Sequence, residues 1–186
     1  MKLMIALGVI ALLVLLFITL YNRLVALRQS RNNAIADIDV QLKLRYDLVP
    51  NLVNTVKGYA THEKTVFEEI TAARAKVGSA HQVNDKIAAE GELSGALGRL
   101  FAVAENYPDL KANQNFIQLQ SELSDIENKI AAARRFFNNA TNEFNTCIHQ
   151  FPAVLFASTL GFKEEPFFDL GSDRAVTEKP VTVNFE

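Results

Sequence analysis

The sequence predicts an all-α protein in which an N-terminal transmembrane helix continues into an elongated antiparallel helical bundle of long, coiled-coil-like helices, followed by an extended C-terminal tail. Three observations predict this. An uncharged apolar stretch runs from Leu3 to Leu20, two long runs keep apolar residues at 4-3-4-3 spacing, and that periodicity fails beyond Pro152. No β-sheet is needed to account for the pattern. The expected division is an anchor over residues 1–22, a bundle over 23–152 and a tail over 153–186 packed on the bundle.

The anchor comes first. LMIALGVIALLVLLFITL, Leu3 to Leu20, is eighteen residues without a charge, flanked by Lys2 and Arg23. At about 1.5 Å per residue it spans roughly 27 Å, close to the thickness of a hydrocarbon core. Thirteen of the eighteen are Leu, Ile, Val or Phe, which favours insertion by about 4 to 8 kcal/mol on biological insertion scales. A cleaved secretory signal would have a shorter apolar region followed by a small-x-small site. Here YNRLVALRQ follows instead, so an uncleaved anchor is expected. Arg23, Arg28 and Arg31 follow the span and Lys2 precedes it, a bias that places the bulk of the chain in the cytoplasm with the amino terminus outside. The margin is small, and a periplasmic placement stays open.

Net charge and cysteine content narrow the partners. A formal charge of −2, a pI near 6.0 and the absence of a binding motif argue against nucleic acid. One cysteine, Cys147, rules out an intramolecular disulfide framework.

The bundle is the next element. Ile35, Ile38, Leu42, Arg45, Val49, Leu52, Val56, Tyr59, Glu63, Val66, Ile70, Ala73 and Val77 share one frame. That frame passes through Pro50 without slipping, which predicts one kinked continuous helix at a cost of about 3 kcal/mol. Nothing between Tyr21 and Asp39 breaks a helix, so this rod is expected to continue from the anchor. Asn84 to Ala104 reads as a shorter helix burying Ile87, Leu93, Leu97, Leu100 and Phe101, with Asn84 as a candidate cap. The last run, from Ala112 through Phe116, Leu119, Leu123, Ile126, Ile130, Ala133, Phe137, Ala140, Phe144 and Cys147 to Phe151, is apolar at all twelve positions and bounded by Pro108 and Pro152. In the tail, Phe162, Phe167, Phe168 and Phe185 stand as isolated aromatic anchors.

Catalytic constellations are lacking in this pattern. His62-Glu63 begins like a zinc-protease helix motif, but Val66 stands where the second ligand must be. Cys147 and His149 are two apart on a helix and point away from one another, so Cys147 reads as a small core residue. Gly91, Gly95 and Gly98 lie on one helix face and match no phosphate-binding motif; they form a candidate close-packing face. No catalytic, metal-ligating or cofactor-binding residue is assigned. The charged seam residues Arg45 and Glu63 each require a partner on another helix, solvent or a second protomer, because either would cost several kcal/mol if buried unpaired. Arg45, Pro50, Tyr59, His62, Glu63 and Arg135 are the candidate interaction or register-setting residues.

A resemblance joins these features. Tyr21-Asn22, Asp39, Gln41-Leu42, Arg45, Asp47-Leu48-Val49-Pro50-Asn51-Leu52, Val56-Lys57-Gly58-Tyr59, His62-Glu63, Ala73-Arg74, Glu127, Arg134-Arg135, Asn138-Asn139 and Asn142 together resemble the LemA family of bacterial membrane proteins over almost the whole chain. The resemblance implies a single-pass protein of the bacterial inner membrane carrying an antiparallel helical bundle, with no established catalytic activity. It also implies a loose link to membrane-protein quality control, including a membrane metalloprotease.

The expected function is that of a membrane-anchored, non-catalytic scaffold in envelope or membrane-protein organisation or quality control, the expected partners being the bilayer through Leu3–Leu20, further copies of the chain, and a membrane protein such as a membrane protease. The alternative is a ligand- or peptide-binding sensor with a cleft between helices near Arg45, Tyr59, His62 and Arg135.

Overall fold

In the computed structural model, which describes residues 1–80 and 83–168, the regular elements are all helical. They are α1 (Lys2–Lys57), α2 (Lys64–Ser79), α3 (Val83–Ala104), a one-turn α4 (Pro108–Lys111) and α5 (Gln114–His149), followed by a 3₁₀ turn at Ala153–Leu155. The chain packs as two compact units. Residues 1–40 and 129–168 form the first, and residues 41–128 lie in the second.

In the first unit, α1 begins with the apolar stretch. It is long and apolar enough to cross a membrane, and among the described residues none of it is buried. The buried core of this unit begins one turn later, where Leu24 meets Phe144, Cys147 and Ile148 of α5 and Ala153, Ala157 and Phe162 beyond it. Cys147 is thus a buried core residue and a free thiol.

The segment after Gly161 is held in extended form by side chains that imitate a neighbouring strand. Asn145 donates to the Glu165 carbonyl and accepts from the Glu165 N–H, both at 2.9 Å. Asn138 does the same for Phe168, at 3.2 and 2.8 Å. Arg31 adds a bond to the Pro166 carbonyl and an ion pair with Glu165 while its guanidinium covers Phe137. These contacts satisfy backbone groups that have no ladder of their own. Of the expected aromatic anchors, Phe162 and Phe168 are buried, Phe167 is 49% exposed, and Phe185 lies outside the described residues.

In the second unit, α2 packs on α3, and a core of Val49, Leu52, Val56, Ile70, Leu93, Leu97, Leu100 and Leu123 joins α1, α2, α3 and α5. Exposed ion pairs, Arg99 with Glu69 and Lys76 with Glu92, decorate the α2–α3 contact and contribute about 0.2–1 kcal/mol each at most.

Two expectations are refined by these elements. The first seam is not one rod to Val77: α1 stops at Lys57, and a turn over residues 58–63 separates it from α2. The N–H groups of Tyr59 and Ala60 both return to the Val56 carbonyl, at 3.0 and 2.9 Å, closing the helix end. Gly58 lowers the cost of stopping there, since glycine disfavours a helix interior by about 1 kcal/mol. Of the two frame positions that fall in the turn, Tyr59 is exposed and Glu63 is half-buried, as Val66 and Val77 are. The α3 helix starts at Val83, one residue ahead of the expected cap Asn84, whose side chain lies outside those described.

The passage through Pro50 is as expected, and its cost has a visible remedy. Proline has no N–H to give the carbonyl four residues earlier, which here belongs to Tyr46. Arg74 Nε of α2 donates to that carbonyl at 3.1 Å, and its guanidinium stacks on the Tyr46 ring at 3.9 Å. One side chain therefore replaces the missing helical bond and covers the ring beside it.

This arrangement predicts a coupled pair. Arg74→Ala should destabilise the protein by about 1–3 kcal/mol, because it strands the Tyr46 carbonyl and removes the ring contact. In a Pro50→Ala background the restored amide serves that carbonyl, so the same Arg74 substitution should cost clearly less. Chemical unfolding of the four proteins in mild detergent, followed by circular dichroism, measures the difference.

Candidate functional site

The seam of α1 turns Leu42, Arg45, Val49 and Leu52 toward the same core because they recur at three- and four-residue intervals. Three of these are apolar, and the fourth carries a permanent charge. Arg45 is 1% exposed. A guanidinium so placed requires acceptors on every facing helix, since an isolated buried charge costs several kcal/mol.

The acceptors come from α3 and α5. Arg45 Nη2 forms an ion pair with Glu90 Oε2 and donates to the Glu90 carbonyl at 3.3 Å. Nη1 donates to Ser94 Oγ at 2.8 Å and to Glu127 Oε1 at 2.6 Å. Glu90 and Ser94 are four apart, so one face of α3 presents both. The two carboxylates differ in setting: the Glu90 side chain is 3% exposed and that of Glu127 is 42% exposed. One charge is held dry and the other reaches water. Both carboxylates are committed to the same guanidinium, and the cluster acts as a lock among three helices.

Beside the lock runs an open groove of about 370 Å³ lined by Ser94, Leu97, Gly98, Phe101, Gln120, Leu123, Ser124 and Glu127. Ser94 and Glu127 belong to both the groove and the lock. Its size falls at the small end of ligand sites.

The other expected site residues do not gather around Arg45. Tyr59, fourteen residues further along the sequence, accepts a hydrogen bond from Asn113 at 2.8 Å. His62 is exposed in the turn after α1. Glu63 precedes the first residue of α2 without a side-chain cap, and accepts from the Tyr107 hydroxyl at 3.3 Å. Partial desolvation, then the Glu63 charge and this hydrogen bond, raise the Tyr107 pKa above its usual value. Arg45 and Glu63 thus have separate partners within one chain, on separate elements. Arg135 is exposed on the part of α5 that belongs to the first unit. Pro50 is half-buried in the core helix, where its role is the one described with Arg74.

Gly91, Gly95 and Gly98 are exposed. A Cβ added at Gly91 or Gly98 would meet nothing within 4 Å, and at Gly95 only Arg99 Nη1 at 4.0 Å. Among the described residues, no helix makes the close approach expected on this face. Among the described residues, no three His, Cys, Asp or Glu side chains are grouped to hold a metal ion.

Sequence reasoning singled out Arg45 but missed Glu90. The signal was present: Glu90 sits three residues after Ile87 and three before Leu93, inside the apolar stripe of α3. A charge in that stripe, facing a helix with an opposite charge in its own stripe, is the pattern of a buried pair. Arg74 was marked only by resemblance, and its link to Pro50 depends on a tertiary contact that spacing does not reveal.

Comparison with known proteins adds a family. Residues 34–185 match the family described as LemA. The chain is 26% identical to magnetosome protein MamQ of Magnetospirillum gryphiswaldense, over 90% of this chain and 72% of that protein. It is 25% identical to magnetosome protein MamQ 2 of Paramagnetospirillum magneticum, over 80% of this chain and 64% of that one. Protein LemA of Metamycoplasma hominis is 27% identical over 70% of this chain and 60% of its own length. The chain thus spans under two thirds of the last two relatives.

Two outcomes follow from the geometry. Arg45→Met should cost about 3–5 kcal/mol by leaving Glu90 buried without its cation, and adding Glu90→Met should recover most of that loss; equilibrium unfolding of the single and double variants checks this. Gly91→Ala and Gly98→Ala should each stabilise the protein by about 0.5–1 kcal/mol in the same assay, since the new methyl meets no neighbour.

Proposed function

The chain belongs to the LemA family, and from that premise we propose that it is a membrane-anchored, non-catalytic helical scaffold that self-associates and organises other membrane proteins. One observation carries the reading: α1 runs unbroken from an apolar stretch that stays exposed among the described residues to the buried Arg45 lock. A helix of this kind carries the span and the lock on one element. That property serves presentation of a surface and has no evident use in turnover. The names of the relatives, magnetosome protein MamQ and protein LemA, denote no reaction.

The surface available for partners includes Val40 and Leu44, 56% and 48% exposed, one helical turn apart on α1, and the open glycine face of α3. These are apolar or small groups left exposed among the described residues. Membrane-protein quality control in the bacterial inner membrane is the process that this reading favours, with the bulk of the chain in the cytoplasm.

A ligand-binding sensor is the second reading, and the groove beside Ser94 and Glu127 is what favours it. There apolar Leu97 and Phe101 beside the polar Ser94, Gln120 and Ser124 would suit an amphipathic peptide.

A photoreactive residue at position 44, introduced in intact cells, separates the two. The scaffold reading expects an adduct of twice the chain's mass together with adducts to membrane proteins. Exclusively monomeric protein at native abundance would remove self-association from the reading.

A further inference from the structure

The segment Phe151–Phe162, FPAVLFASTLGF, is twelve residues without a charge. It is folded rather than loose: Ala157 N–H donates to the Ala153 carbonyl at 2.8 Å and Phe162 N–H to the Ala157 carbonyl at 2.9 Å, with Gly161 at φ +80° making the final turn. Ala153, Ala157 and Phe162 point into the core beside Leu24 and Phe144. The opposite side is also apolar. Phe151 is 80% exposed, Leu155 69%, Val154 45% and Leu160 38%. Exposed leucines one at a time are ordinary, but four large apolar groups on one compact turn mark an interaction surface.

What covers that surface is indicated by its neighbour. The Phe156 ring lies 5.1 Å from that of Phe17, and Phe162 lies 5.8 Å from Tyr21. Phe17 belongs to the apolar stretch, three residues inside its Leu20 end, a depth of about 5 Å along the helix. The turn is therefore packed on α1 at the level where the span ends. Arg23 and Arg28, exposed within the next two to three turns of α1, lie where lipid phosphates would be, and the first charges after the turn are Lys163, Glu164 and Glu165.

We infer that residues 151–160 form a second membrane contact, a monotopic turn that inserts Phe151, Val154, Leu155 and Leu160 into the boundary between headgroups and acyl chains of the bilayer that α1 crosses. Interfacial elements bury their apolar face by about 5–10 Å, which matches the depth of Phe17. A span alone leaves a protein free to tilt and to rotate about one axis. Two contacts at one level fix the tilt of α1 and α5 together, because Phe144 and Ile148 of α5 share the core that carries the turn.

This inference rests on the reading of α1 as a membrane span, and its test treats the two separately. The chain has no tryptophan, so a single one reports its own surroundings. Full-length Leu155→Trp and Leu13→Trp proteins would be placed in vesicles of phosphatidylethanolamine and phosphatidylglycerol, with and without bromine on the acyl chains near the headgroup. Both positions are exposed, so neither substitution disturbs the core. The expected result is a blue-shifted Leu155→Trp emission that brominated lipid quenches and aqueous iodide does not, with Leu13→Trp equally shielded from iodide.

Iodide quenching at position 155 with a shielded position 13 would overturn the monotopic turn and leave the span intact. Exposure of both to iodide would overturn the span and the turn together. A blue-shifted emission at 155 that lipid bromine leaves untouched would also overturn the inference, by showing that protein covers this surface.

Discussion

The constraint on which the second unit depends is the burial of a group that cannot give up its charge. A lysine in the place of Arg45 could shed a proton; a guanidinium cannot at any physiological pH. With 1% of its surface exposed, Arg45 requires three helices to arrive in one register, because Glu90 and Ser94 come from α3 and Glu127 from α5. Sliding α3 by one residue would turn Glu90 about 100° away and leave two buried charges apart. The apolar core around Leu52, Leu93 and Leu100 supplies attraction but tolerates many alternative packings. The ion cluster supplies the choice among them.

The same device recurs elsewhere on a smaller scale. Where the backbone has lost a partner, a polar side chain from another element replaces it. Arg74 serves the Tyr46 carbonyl that Pro50 leaves open, and Asn138 and Asn145 serve the extended backbone at Phe168 and Glu165. Each contact joins segments distant in sequence, so each works as a clasp as well as a hydrogen bond.

Much of this was legible before the structure. The α5 helix shows why: from Phe116 to Cys147 every seam position is buried or half-buried, because a 4-3-4-3 repeat leaves one stripe free of charge and a packed stripe is its only stable use. Ala112 and Phe151, at the ends of that frame, are exposed and lie outside the helix, since boundaries are set by turns whose energies the repeat does not report. The kept phase across Pro50 did signal continuity, whereas the same kept phase across residues 58–63 did not, because a turn can return the chain to register without being helical. Of the candidate site, the need of Arg45 for acceptors was readable and the acceptors were not. Which carboxylate answers is decided by how α3 rotates against α1, and that rotation is a property of the packed core.

The most direct test of the lock is whether the three helices that it joins lose protection as one body. Amide hydrogen exchange of full-length Arg45→Met protein, set beside the unsubstituted chain in the same membrane mimetic, resolves this by segment. The account predicts faster exchange by a similar factor in residues 41–57 of α1, in α3 and in residues 114–128 of α5. Acceleration confined to the turn on either side of residue 45, with α3 and α5 protected as before, would contradict it.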